Sequence, residues 1–210
     1  MQIKIFEVGP FQQNTYLIYG VNRKAVIIDA GFSSDLEFAT FTSYLHQHKL
    51  SVEAILLTHA HVDHILGLDR LLTFVDVPVY LHQEDRFLWE NFEHQAKMFG
   101  FNSITPTCTL HDLKDKNTLE VAGFTIDTLY TPGHSPDHCS FYIKNEGMLL
   151  SGDVLFRESI GRTDLYKGDF DTLKISVIEK LFTLPRETKV YPGHGPSTSI
   201  GHEIEHNPFI

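Results

Sequence analysis

A chain of 210 residues, 42% hydrophobic, is long enough to bury one substantial core and is expected to form a single domain over residues 1–210. The 17 Lys and Arg against 27 Asp and Glu give a formal charge of −10, and no basic run could neutralise several phosphates, which argues against a nucleic-acid partner. Two cysteines are too few for a disulfide framework, nothing near Met1 resembles a secretory signal, and no apolar run approaches a membrane span, so a cytoplasmic protein with no membrane partner is expected.

Residues 3–8 and 15–19 are short apolar runs separated by Gly9-Pro10, which predicts two strands with Asn14 in the turn. Residues 25–29 predict a third strand, closed by Asp29-Ala30-Gly31. Ser33 or Ser34 can cap a helix whose Leu36, Phe38, Ala39, Phe41, Tyr44 and Leu45 form an apolar stripe ending near Lys49. His46 and His48 fall in its last turn and read as surface residues that complement the helix dipole. Residues 52–57 predict a fully buried strand, 66–74 a helix packed back on it, and 77–81 the following strand. That alternation predicts an α/β fold.

Residues 84–107 interleave Phe87, Leu88, Trp89, Phe92, Met98, Phe99 and Phe101 with charge. The pattern fits an amphipathic helix on the core, and it also fits a substrate wall or a dimer surface. Further on, residues 118–130 predict a hairpin turning near Ala122-Gly123, and 139–151 another turning at 145–147. Residues 170–184 predict a long helix and 188–191 a last strand; the tail, 197–210, leaves no room for another domain. Cys139 reads as a small buried residue or a neighbour of substrate, not as a nucleophile.

The densest chemistry is Thr58-His59-Ala60-His61-Val62-Asp63-His64, three imidazoles and a carboxylate directly after the run 54–57. Neutral imidazole and carboxylate are the donors that borderline and hard divalent ions prefer. His59 and His61, two apart on extended backbone, point the same way and suit one metal, while Asp63 and His64, from the turn into the next segment, suit a second. Two Pro-Gly turns, Thr131-Pro132-Gly133-His134 and Tyr191-Pro192-Gly193-His194, each end a strand and aim a histidine off it. Between them Leu149-Leu150-Ser151-Gly152-Asp153 ends in a carboxylate. Four strand ends thus deliver candidate ligands.

With HxHxDH at His59 to His64, followed in order by His134, Asp153 and His194, the sequence resembles the metallo-β-lactamase-fold hydrolases, and within them the short, single-domain glyoxalase II-like branch. The resemblance implies a four-layer αββα sandwich with metals at the edge between two sheets. It implies that His59, His61 and His134 hold one ion, Asp63, His64 and His194 the other, with Asp153 as the bridge. It further implies a buried structural role for Asp29 and two divalent ions, zinc first, with iron or manganese as alternatives. The implied activity is hydrolysis of a small-molecule thioester such as S-lactoylglutathione, with Asp63 also orienting the attacking hydroxide. The longer members carry a C-terminal helical extension for the glutathione peptide, which this chain lacks, so the thiol need not be glutathione.

Arg162, in Gly161-Arg162-Thr163-Asp164, could clamp a substrate carboxylate or pair with Asp164 to fix its loop. The same phrase occurs in the persulfide dioxygenases, mononuclear iron enzymes of this fold, which form the alternative reading. A β-lactamase, a lactonase or a nuclease ranks lower, the first for want of a secretory signal and the last for want of a basic surface.

Overall fold

The computed structural model describes residues 1–83 and 86–210. The chain begins with β1 (Gln2–Val8) and β2 (Gln13–Tyr19), an antiparallel hairpin to which β3 (Lys24–Ile28) adds on the β2 side. Helix α1 (Asp35–His48) crosses over to β4 (Ser51–Leu56), parallel to β3. Ser34 starts that helix: its hydroxyl accepts the Glu37 N–H while the Glu37 carboxylate accepts the Ser34 N–H, and Lys49, at φ 54°, stops it.

Next come α2 (Val62–Ile65), α3 (Leu68–Phe74), β5 (Val79–Leu81), α4 (Phe87–Glu90), α5 (Phe92–Met98) and β6 (Leu110–Asp112). The strands form a sheet in the order β1-β2-β3-β4-β5-β6, parallel from β3 onward. Two details depart from expectation. The helix expected at 66–74 is preceded by a separate turn, α2, and Gly67 divides them because Phe32 packs there: an added Cβ would lie 2.7 Å from the Phe32 Cβ. The strand expected to be buried throughout is buried only from Ala54, since the short β5 pairs with Ile55 and Leu56 and leaves Val52 and Glu53 uncovered on that side.

The second half runs β7 (Thr118–Val121), β8 (Phe124–Tyr130), β9 (Cys139–Ile143) and β10 (Met148–Gly152), then a small hairpin of β11 (Leu155–Phe156) and β12 (Ser159–Ile160). Helix α6 (Phe170–Ser176) continues as a π-helical segment, Val177–Leu181, and leads to β13 (Lys189–Pro192), β14 (Thr198–Ser199) and α7 (Ile200–His206). The second sheet has the order β14-β13-β10-β9-β8-β7.

The period-two alternation of strands assigns the layers. Tyr16, Ile18, Val26, Ile28 and Leu56 pack face to face with Ile126, Phe141, Ile143 and Leu150 between the sheets. Their neighbours Leu17, Ile27 and Ile55 point the other way, onto Phe41 and Leu45 of α1. On the far side Leu149 and Val190 meet Leu173, Val177 and Leu181. Every residue of β2 is buried, as a strand covered on both faces requires. The result is helix, sheet, sheet, helix. Among the described residues no helix is long and apolar enough to cross a membrane.

Candidate metal centre

Two backbone hydrogen bonds join the sheets at one edge: Cys139 N–H donates to the Thr58 carbonyl at 2.8 Å and Asn14 N–H to the Gly193 carbonyl at 2.7 Å. The Asn14 side chain adds bonds to the carbonyls of Pro192 and Gly195, and the Tyr16 hydroxyl one to Pro192. The loops that follow β4, β8, β10 and β13 therefore end at the same place. They carry every histidine and aspartate that the sequence singled out for the metals.

Three sets of donor atoms lie within 4.8 Å of one another: His59, His61 and His134; His59, His64 and Asp153; and Asp63, His64 and His194. Asp63 and His64 stand on α2, with His61 as its extended N-terminal neighbour, so a single helical turn, not an open loop, separates the two groups. Asp153 lies between them, its Oδ2 3.7 Å from His134 Nε2 and 3.4 Å from His194 Nε2, its Oδ1 3.4 Å from His64 Nε2. Gly193 makes that approach possible, since a Cβ there would fall 2.0 Å from Asp153 Oδ1.

The hydrogen bonds behind the imidazoles orient them. Asp29, at φ 58° and buried, accepts the Thr58 N–H on Oδ1 at 2.8 Å, and on Oδ2 the Thr58 hydroxyl at 2.9 Å and His64 Nδ1–H at 2.8 Å. With its proton given to Asp29, the Thr58 hydroxyl accepts from His59 Nδ1, 3.0 Å away. His134 Nδ1–H donates to the Arg162 carbonyl at 2.8 Å and His194 Nδ1–H to the Phe11 carbonyl at 3.0 Å. In each case the hydrogen bond is made at Nδ1, which turns Nε2 inward, and His134 Nε2 lies 2.8 Å from His61 Nδ1. His59 Nε2, His64 Nε2 and Asp153 Oδ1 are buried with no hydrogen-bond partner. Orphaned donors of this kind are costly unless a cation meets them, and their chemistry fits divalent ions.

The two groups differ in charge. Burial pushes His61 down to about 3, with His134 beside it adding to the effect, and burial also lowers His59 and His134. These three are neutral imidazoles, the ligating form. For His194, burial is outweighed by the carboxylates of Asp153 and Asp63, which raise it to about 10. His64 is likewise raised despite its burial, by Asp153, Asp29 and Asp63. Asp63 and Asp153 are lowered, their burial overcome by His64 and His194.

Two residues that the sequence reading passed over support the site. His138, wholly buried, accepts the Asp153 N–H on Nε2 at 3.0 Å, with Thr131 Oγ1 at its Nδ1. Asp137 accepts the Ala60 N–H at 3.0 Å and the Ser135 hydroxyl at 2.8 Å, tying the loop of His134 to that of His59 and His61. The phrase Ser135-Pro136-Asp137-His138 contained the signal, a second carboxylate and imidazole three and four residues past a candidate ligand. Asp29 takes the supporting role expected of it. Cys139 is buried and its thiol is pushed up by burial. His46 and His48 are exposed, as expected.

A cavity of about 670 Å³ opens above the donors, with His61, Asp63, His134, Asp153 and His194 at its floor. The aromatic stretch does two things at once: Leu88, Trp89, Phe92 and Ala96 pack into the core, while Phe87, Met98 and Phe99 line the cavity. Glu84 and Asp85, which open that stretch, lie outside the described residues. Gln95 holds this wall to the floor by donating to the carbonyls of Ala60 and Leu88. Arg162 also lines the cavity, yet its guanidinium grips Asp164 through two bonds of 2.7 and 2.8 Å.

Comparison with known proteins agrees with this geometry. The profile of the metallo-beta-lactamase superfamily matches residues 8–194. The probable metallo-hydrolase YqgX of Bacillus subtilis is 39% identical over 211 residues, covering 100% of this chain and 98% of the relative. The hydroxyacylglutathione hydrolase GloC of Haemophilus influenzae is 35% identical over 214 residues, covering 100% and 98%. Among solved structures, the BLEG-1 B3 metallo-beta-lactamase superimposes with a TM-score of 0.90 at 40% identity, covering 99% of each chain. TTHA1623 in a di-iron-bound form gives 0.88 at 37%, covering 99% of this chain and 100% of that one.

Proposed function

We propose, on the premise that the chain belongs to the metallo-beta-lactamase superfamily, that this metal-dependent hydrolase cleaves hydroxyacyl thioesters with S-lactoylglutathione as the reference substrate. The observation that carries the reading is the meeting of two donor groups at Asp153, each with Nε2 atoms turned inward by hydrogen bonds at Nδ1. The thioester half of the reading is supported by the similarity to GloC over the full chain.

His59, His61 and His134 would hold one ion and Asp63, His64 and His194 the other, with Asp153 shared between them. Ions held there would lower the pKa of a bound water toward neutrality and polarise the substrate carbonyl. The chain's own part is positioning. Asp63, with Oδ2 3.1 Å from His194 Nε2, presents a carboxylate that would help hold the second ion and could accept a proton from the attacking water. Asp153 fixes the spacing of the two groups. The wall formed by α4 and α5 keeps bulk water from the acyl group. No protein nucleophile is required: Cys139 is wholly buried beneath the site. The imidazole and carboxylate donors suit zinc, and iron is the alternative that the di-iron form of TTHA1623 supports.

β-Lactam hydrolysis is a second reading, favoured by the similarity to BLEG-1 at 40% identity. The test is thiol release from S-lactoylglutathione set beside hydrolysis of a chromogenic cephalosporin, before and after chelation and metal return. Thiol release that is lost on chelation and restored by metal, and is absent in His59→Ala, supports the thioesterase. Metal-dependent cleavage of the cephalosporin alone would replace it with the lactamase.

A further inference from the structure

The outer part of the cavity is built from three segments far apart in sequence: Phe11 of the β1–β2 turn, Phe87 and Met98-Phe99 of the α4–α5 wall, and Tyr166 after β12. Two ring pairs join them. Phe11 meets Phe99 edge to face at 5.1 Å, and Phe87 stacks on Tyr166 at 4.0 Å. Phe87 is 42% exposed, Phe99 53% and Met98 67%, so the cavity is rimmed by apolar surface left open to water. Such a rim marks a place where something apolar is received.

Charge points the same way. Among the described lining residues Arg162 is the one guanidinium or ammonium, and Asp164 already occupies its fork. Lys167, the next cation along the chain, lies over the Tyr166 ring at 5.5 Å and is not part of the lining. A thiol bearing two carboxylates would find no unoccupied guanidinium among the described lining residues, whereas a hydrocarbon would displace water from the rings. The clamp is also tied to the reacting position, since Phe11 supplies both a ring to it and the carbonyl that orients His194.

Resting on the hydrolase reading above, we propose that the site selects thioesters whose thiol portion is uncharged and apolar, received between these rings, over thioesters of a peptide thiol carrying carboxylates. In the reaction water adds to the acyl carbon, the carbon–sulfur bond breaks, and the sulfur leaves with a proton as a free alkyl or aryl thiol.

The experiment compares D-lactoyl thioesters of butanethiol, hexanethiol and glutathione on the metal-loaded protein, with released thiol as the readout. In parallel, calorimetry measures the affinity of the corresponding non-hydrolysable thioethers. Burial of each methylene is worth about fourfold. The proposal therefore expects kcat/KM and thioether affinity to rise about threefold to fourfold per methylene, with the hexyl compounds exceeding the glutathione ones by about tenfold or more. Met98→Ser and Phe99→Ser, at exposed positions, should flatten both slopes while metal content is kept. No dependence on chain length, or preference for the glutathione compounds in both measurements, would overturn the proposal. Chain-length-dependent thioether binding without cleavage of any thioester would support the apolar subsite and instead overturn the hydrolase reading.

Discussion

Asp29→Asn is the substitution in which the arrangement of hydrogen bonds has the most direct consequence. Asparagine is nearly isosteric and tolerates the φ of 58° found at this position, so the backbone should hold. Its oxygen can keep the Thr58 N–H, but an amide NH2 then replaces the Oδ2 that accepts both the Thr58 hydroxyl and His64 Nδ1–H. Two donors face each other at 2.8 Å unless His64 moves its proton to Nε2, the atom turned to the metal site. Loss of a supporting partner of this type lowers metal affinity about 10-fold to 100-fold. In the metal-free protein the same change removes one of the three carboxylates around buried His64 and should lower stability measurably. Competition with a chromogenic chelator reads the first effect and urea unfolding of the metal-free protein the second. Affinity within twofold of the parent together with unchanged unfolding would refute the role given to Asp29.

Three other perturbations separate parts of the account. Gly193→Ala places a methyl group on Asp153 and should lower metal content and activity together, whereas retention of both would show that the approach of 2.0 Å is relieved elsewhere. Asp164→Asn releases the Arg162 guanidinium and should lower KM severalfold for S-lactoylglutathione but not for a neutral thioester; equal effects on both would show that Arg162 acts only on its loop. For Glu37, burial alone would raise the carboxyl, but the N–H groups of Gly9, Ser33 and Ser34 hold it below its ordinary 4.5. A folded pKa lowered in this way gives stability that is present above 4.5 and lost as pH falls through the folded value. Glu37→Gln should therefore cost about 1 kcal/mol at pH 7 and progressively less below pH 4.5, as followed by urea unfolding across that range.

Much of the site was legible because its donors sit where short local patterns end. Apolar strands at 54–57 and 148–150 and the two Pro-Gly turns specify both the strand and the direction of the residue that follows, so His59, His134, Asp153 and His194 could be placed at strand ends without knowing the pairing. The supporting residues could not be read in this way. Asp137 acts on Ala60 through a contact that exists only once the two sheets are joined, and His138 on Asp153 through one that requires β9 to be paired with β10. The single turn of α2 is too short for periodicity to reveal, and Gly67 separates it from α3 because of Phe32, far back in the chain. In the aromatic stretch the core packing that periodicity suggested coexists with a cavity lining that it could not show, since Trp89 faces the core and Phe87 the cavity. Exposure along β4 depended on the length of β5, which its own sequence does not state.

Whether the donors grouped around Asp153 hold two ions that serve hydrolysis is decided by metal content per chain on protein purified without added metal, paired with cleavage of lactoyl thioesters under nitrogen. Two ions per chain and cleavage that proceeds without oxygen are expected. One iron per chain, no cleavage, and oxygen uptake on adding a persulfide would contradict this and replace the hydrolase with an oxygenase.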